Sequence, residues 1–321
     1  MPRNLQFRTV FAITFGLMLL LATLPLMGAC SSEQEIDPTL TAATEPEAEP
    51  ELTTIPTLTP TPLRIVSLAP SNTEILFALG LADEIVGVAK SCNYPPEVLA
   101  KEKIGDYYTV DMEKVVALSP DLIIAANIHT GTIVPELERR GFDVLTVAPE
   151  KLDDLIGGIM KIGEETGKEE KALQLIEEME ARVNTVTNKV ALLSEEDKPG
   201  VFYITFHDQL WTLGTGTITH EMIELAGGAN IFTDLEGHGK TNLETVLDRN
   251  PEVILASTSH GDAADAPFEW ALNEERLSET KARLNNQVFK VDSDLVTRPG
   301  PRFVDGLELI AELLYPDLFS E

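Results

Sequence analysis

The chain has 321 residues and a formal net charge of −29, from 24 basic and 53 acidic residues, and only two cysteines. That acidity excludes nucleic acid and anionic membrane surfaces as partners, and two cysteines cannot build a disulfide framework. Stability must come from buried apolar surface, for which the length allows one large or two modest domains.

Arg3 and Arg8 flank a short basic start, residues 9–26 are apolar and uncharged, and Met27, Gly28 and Ala29 precede Cys30. This is the pattern of an export signal, with an uncleaved N-terminal anchor as the alternative. The stretch from Met27 to Cys30 resembles the bacterial lipobox, which implies removal of residues 1–29 and acylation of Cys30. The expected location is the cell membrane, lipid-anchored and facing the extracytoplasmic side. Processing would take the charge from −29 to −31, since Arg3 and Arg8 leave and no acid does. After Cys30, residues up to 62 are rich in Thr, Pro and Glu and have no Lys, Arg or aromatic residue. Such a segment cannot bury a core and reads as a disordered tether, or as a tail with no spacing role. With Cys30 acylated, Cys92 has no disulfide partner; it reads as a buried thiol, with a ligand role as the alternative.

Residues 64–68 predict a strand. Ser71, Asn72, Thr73 and Glu74 have capping-box spacing and predict a helix over 75–79 that Gly80 stops. Residues 85–88 predict a second strand. Asp111 caps a helix through Leu118, Pro120 breaks it, and 122–125 form a buried strand. Alternating strands and helices mean a parallel sheet covered on both faces. From Lys151 to about Leu193, apolar residues recur at helical spacing among Glu and Lys, predicting one helix and then a long one. Strand-helix alternation resumes after Pro199, with strands at 201–204, 253–256 and 288–291 and helices near 221–225 and over 302–314. The expected fold is α/β, with lobes at 63–150 and 198–321 joined through connecting helices at 151–197.

An internal repeat fits this division. DMEKVVALSPDLIIA, starting at Asp111, aligns with NLETVLDRNPEVILA, starting at Asn242, at a constant offset of 131. More loosely, TEILFALG from Thr73 matches HEMIELAG from His220. Two related lobes facing one another leave a cleft, a favoured place for ligands; chance likeness between two generic βα units is the competing explanation.

The segments RIVSLAPSNTEILFALGLADEIVGV, SCNYPP, GDYYTVDMEKVVALSPDLIIA, GGANIF and SDLVTRPGPR together resemble the periplasmic binding proteins of cobalamin, siderophore and haem ABC importers. The resemblance covers essentially all of 63–321 and is nearest to the cobalamin branch. It implies two Rossmann-like lobes with parallel sheets joined by a single long helix. It also implies a monomeric, non-enzymatic binding protein without a cofactor, which passes a small-molecule cargo to an ABC permease dimer and its ATPase subunits. Glu113 and Glu244 match the family's two permease-docking glutamates, one on each lobe and equivalent in the repeat. Each also fits an ordinary first-turn acid favoured by a helix dipole.

By the same resemblance the cargo is a corrinoid such as cobalamin, held in the cleft by Tyr107, Trp211 and His238, with Tyr94 nearby. Asp294 and Arg298 match residues that contact the ligand's amides. Tyr107 and His238 each precede a docking glutamate by six residues, so the repeat predicts that they face one another. Two other aromatic positions of the family are Ser91 and Ala126 here, which keeps haem and iron-siderophore complexes open as cargo. A neutral imidazole binds cobalt or iron, so His238 is a possible axial ligand to the cargo metal, or a solvent-facing side chain in the loop EGHGK. Direct zinc or manganese binding is disfavoured because His129, His207, His220 and His260 show no close ligand spacing. An enzyme is disfavoured because no nucleophile elbow, dinucleotide fingerprint or phosphate loop is found. An adhesion or sensor protein would differ in having no permease partner.

Overall fold

The computed structural model describes residues 62–258 and 264–319. The signal segment 1–29, Cys30, the tether up to 61 and His260 lie outside the described residues. Among the described residues no helix is long and apolar enough to cross a membrane.

The first lobe runs β1 (Ile65–Ser67), α1 (Pro70–Ala78), β2 (Ile85–Val88), α2 (Met112–Leu118), β3 (Leu122–Ala125), α3 (Ile133–Arg139) and β4 (Val144–Thr146). Two helices follow, α4 (Leu152–Thr166) and α5 (Glu169–Val190). The second lobe opens with β5 (Gly200–Ile204), β6 (Trp211–Leu213), α6 (Ile218–Leu225), β7 (Ala229–Asn230), β8 (His238–Lys240) and α7 (Leu243–Arg249). It continues with β9 (Val253–Thr258), α8 (Ala266–Asn273), α9 (Lys281–Leu284), β10 (Val288–Asp292), α10 (Ser293–Val296), α11 (Phe303–Leu314) and α12 (Pro316–Phe319).

Both main sheets are wholly parallel, in the orders β2-β1-β3-β4 and β7-β5-β9-β10. The two orders are one topology repeated. The likeness reaches single hydrogen bonds. Asp111 and Asn242 each cap a helix by accepting the backbone N–H three residues on, at 3.1 and 2.9 Å. Each helix closes on a left-handed residue, Ser119 with φ 46° and Asn250 with φ 43°. Asp121 accepts the backbone N–H of Arg64 at 2.8 Å, and its counterpart Glu252 accepts that of Gly200 at 3.0 Å, so each acid holds the start of the neighbouring strand.

One expectation needs correction. Helix α1 begins at Pro70, behind Ala69, which gives no side-chain cap, and the polar run 71–74 is not a capping box. Proline is suited to the first helical position because its missing N–H would be unpaired there anyway. The polar side chains after it point into the protein: Asn72 donates to the carbonyl of Ala125 at 2.9 Å, and the Thr73 hydroxyl lies 2.7 Å from that of Ser67. They tie the helix to the sheet.

Helix α5 has 22 residues, about 33 Å at 1.5 Å per residue. Ala172, Ile176, Met179, Val183, Val186 and Val190 make its buried stripe. One apolar cluster includes Ile65 and Leu122 of the first sheet, Ile159, Ile176 and Met179 of the two connecting helices, and Val201, Leu255 and Phe303 of the second lobe. The opposite face of each sheet has its own smaller core. A shared, close-packed core around α4 and α5 makes the two lobes resist independent movement. Cys92 is buried within it, its thiol 3.2 Å from the Thr73 hydroxyl and pushed up in pKa by desolvation.

Candidate functional site

Two adjoining cavities, of about 610 and 340 Å³, open between the lobes. Both are lined by Ser71 and Tyr107 from the first lobe and by His238, Thr297 and Pro299 from the second. Their volumes fall in the range of small-molecule sites.

Tyr107 and Tyr108 stand at the tip of a tight turn in which Asp106 and Thr109 exchange backbone hydrogen bonds of 2.8 and 3.3 Å. Gly105 closes the stem with φ +116°, and a Cβ there would fall 2.4 Å from the Thr109 carbonyl, so only glycine fits. His129 anchors the tip from below. Its Nδ1 accepts the N–H of Ala126 at 2.9 Å and its Nε2 lies 2.8 Å from the carbonyl of Tyr107, which assigns the proton to Nε2. Its ring meets Tyr107 edge-on, with centroids 5.4 Å apart. Burial lowers the His129 pKa, favouring the neutral ring that this arrangement requires. Burial, followed by the neighbouring Tyr108, pushes the Tyr107 phenol up, so it stays protonated.

His238 faces this tip from the second lobe. It begins β8 of an antiparallel ribbon, where it pairs with Leu213, rather than lying in a loop. Gly237, with φ +70°, turns the chain into that strand. The imidazole reaches the cleft surface, yet the walls remove enough water to lower its pKa below the ordinary value. At neutral pH it therefore offers a lone pair.

The remaining expected residues divide. Arg298 lines the larger cavity, and Ser91 and Ala126 line the larger and smaller cavities respectively. Asp294 lines neither. The residue is 9% exposed, and its carboxylate lies 2.6 Å from Arg298 and 2.9 Å from the Asn93 amide. Arg298 also bonds Asn93 Oδ1 at 2.7 Å and approaches Glu74 at 3.5 Å, while Arg302 grips Glu74 at 2.6 and 2.9 Å. Asn93 and Glu74 belong to the first lobe and Asp294, Arg298 and Arg302 to the second. Asp294 is thus a member of a charge network joining the lobes, in which two buried acids balance two arginines. Trp211, on β6, lines neither cavity and carries Lys240 5.2 Å from its ring centroid. Tyr94 also lies away from the cleft: its ring packs 4.1 Å from the Arg302 guanidinium and lines a separate cavity. In both, a nearby cation occupies one face of the ring.

Glu113 and Glu244 are exposed in the first turns of α2 and α7, and no base pairs with either among the described residues. Four contributors escaped sequence reading. Tyr108, 72% exposed, and Ile128, 49% exposed, add apolar surface at the mouth of the larger cavity. His129 and Glu74 act behind it. A tyrosine pair beside a glycine was visible, but the histidine and glutamate are distant in sequence from what they hold. Among the described residues no cluster of His, Cys, Asp and Glu could hold a metal ion.

Residues 65–295 match the family described as periplasmic binding protein. The chain belongs to that family. It is 37% identical over 265 residues to the uncharacterized ABC transporter substrate-binding lipoprotein YvrC of Bacillus subtilis, covering 81% of this chain and 82% of that protein. It is 30% identical over 254 residues to the vitamin B12-binding protein of Vibrio cholerae, covering 78% and 88%. The crystal structure of the periplasmic vitamin B12 binding protein BtuF of Vibrio cholerae superposes with a TM-score of 0.69 at 29% identity, covering 80% of this chain and 98% of that one. The periplasmic heme-binding protein RhuT from Roseiflexus sp. RS-1 shares the fold, with a TM-score of 0.71 at 24% identity, covering 80% and 100%. Membership makes this chain a substrate-binding protein of the ABC-transporter type, which binds its cargo without converting it.

Proposed function

We propose that this periplasmic binding protein captures a corrinoid of the cobalamin type between Tyr107 and His238 and delivers it to an importer. The observation that supports this most is the position of those two side chains, one per lobe, each lining both cavities of the cleft. A flat macrocycle would stack on the tyrosine and present its metal to a neutral imidazole. Arg298 and the Thr297 hydroxyl would meet its amide groups. In this reading Tyr107 serves as a neutral stacking face for a corrinoid. The vitamin B12-binding relatives weigh in the same direction.

In this reading residues 1–29 are removed on export, Cys30 is acylated, and the segment up to residue 62 is a tether giving reach from the membrane. Glu113 and Glu244, at equivalent positions of the two lobes, would meet arginines of a two-fold permease through charge-assisted hydrogen bonds.

The test is a visible-absorbance titration of the purified protein with cyanocobalamin, dicyanocobinamide and haemin. Saturable one-to-one corrinoid binding supports the proposal, and loss of a spectral shift in His238→Ala would put the imidazole on cobalt. Binding of haemin alone would move the cargo to haem, and binding of none would turn the search to iron-siderophore complexes.

A further inference from the structure

A third cavity, of about 590 Å³, lies between α1, α5 and α11 and shares no lining residue with the cleft. The charge network separates the two. Along α1, Ser71 faces the cleft while Glu74, Phe77 and Ala78 face the rear cavity; beyond β10, Arg298 faces the cleft and Arg302 the rear.

Phe77, Tyr94, Leu175, Met179 and Val304 give the rear cavity an apolar, aromatic floor. Tyr94 is 43% exposed, with Arg302 over its ring, so part of the ring remains available. The charges are unevenly satisfied. Glu74 is held by Arg302, and Arg182 by Asp305 at 2.7 Å and by Glu308. Glu97 and Glu178 are exposed at the rim, and among the described residues neither takes part in an ion pair. The lining as a whole carries four carboxylates against two guanidiniums.

We infer that this rear cavity is a second binding site, separate from the cleft, for a small apolar organic cation such as an aryl-alkyl ammonium ion. The floor removes the hydrocarbon part from water, Tyr94 and Phe77 offer it aromatic surface, and Glu97 and Glu178 neutralise the positive charge at the rim. An anion of the same shape meets net negative charge and is refused. The inference does not depend on which cargo the cleft takes.

Calorimetric titration of the purified protein with benzyltrimethylammonium, benzyl alcohol and benzoate tests it, in the wild type, in a Glu97→Gln/Glu178→Gln variant and in Met179→Trp. The expected result is saturable one-to-one binding of the cation, at least tenfold tighter than the alcohol, with no detectable benzoate binding. Glu97 and Glu178 are exposed, so their variant keeps the fold while the tenfold preference disappears; Met179→Trp fills the floor and removes binding. The inference is overturned by no saturable binding of the cation, by equal affinity for cation and alcohol, or by a preference that survives in the double variant. It is equally overturned if only a basic apolar peptide binds, since the surface would then be a protein-docking groove.

Discussion

The two lobes share a strand order, a cap on the helix after the cleft turn, a left-handed helix stop and an acid that holds the neighbouring strand, yet they bring different chemistry to the cleft. The first lobe presents Tyr107 on a glycine-closed turn anchored from below by His129. The second presents His238 on a two-stranded ribbon, half open to water. A duplicated scaffold fixes where a side chain enters the cleft, and the loop built on it decides which side chain and how firmly it is held. The firm tip is suited to stacking and the open one to supplying a lone pair.

The largest expected effect breaks what the lobes share. Glu74→Ala leaves Arg302 partly buried without its carboxylate partner, while Arg298 keeps Asp294, and should cost about 3 kcal/mol of unfolding free energy in urea titrations. By contrast, Asp305→Ala breaks a half-exposed pair with Arg182 and should cost no more than about 1 kcal/mol. Equal losses would mean that the network does not join the lobes as described.

Next comes the anchored turn. His129→Ala removes two hydrogen bonds and buried volume and should cost about 3 kcal/mol. The wild-type ring also predicts a pH dependence. An imidazole whose pKa is lower folded than unfolded takes up protons preferentially when unfolded, so its contribution is complete above the ordinary value of 6.5 and is lost as pH falls through the lower folded value. Denaturant midpoints measured from pH 7.5 to 5 should fall less steeply in His129→Ala than in the wild type.

The capping pair tests the likeness itself. Asp111→Ala and Asn242→Ala should each cost about 1 kcal/mol, within error of one another. The smallest effect is a gain: Ser119→Gly should stabilise by up to about 1 kcal/mol by relieving a left-handed residue, whereas Asn250→Gly should gain nothing, since asparagine tolerates that conformation and its Oδ1 accepts the Lys281 N–H at 3.0 Å.

Much of this plan was legible before any coordinates. The offset of 131 carries the caps, the proline breaks and the strand acids, because each is a local requirement written in a few adjacent residues. The family resemblance named Tyr107 and His238, and their equal distances from equivalent caps are why the repeat expected them to face one another. Asp294, Trp211 and Tyr94 were harder. Their surroundings are set by Arg298, Lys240 and Arg302, and which face a cation covers depends on packing between segments, not on spacing within one. The polar run 71–74 misled because capping-box spacing is also compatible with a buried helix start once Pro70 occupies the first position. The ribbon of β6 and β8 was missed because three-residue strands hold too little pattern to read.

The central claim is that cargo lies between the two lobes, against Tyr107 and His238 together. The most direct measurement is the affinity for cyanocobalamin of the wild type, Tyr107→Ala, His238→Ala and the double variant. The account predicts that each single change weakens binding tenfold or more, about 1.4 kcal/mol, with unfolding midpoints showing the proteins still folded at the assay temperature. Wild-type affinity in the double variant would contradict it.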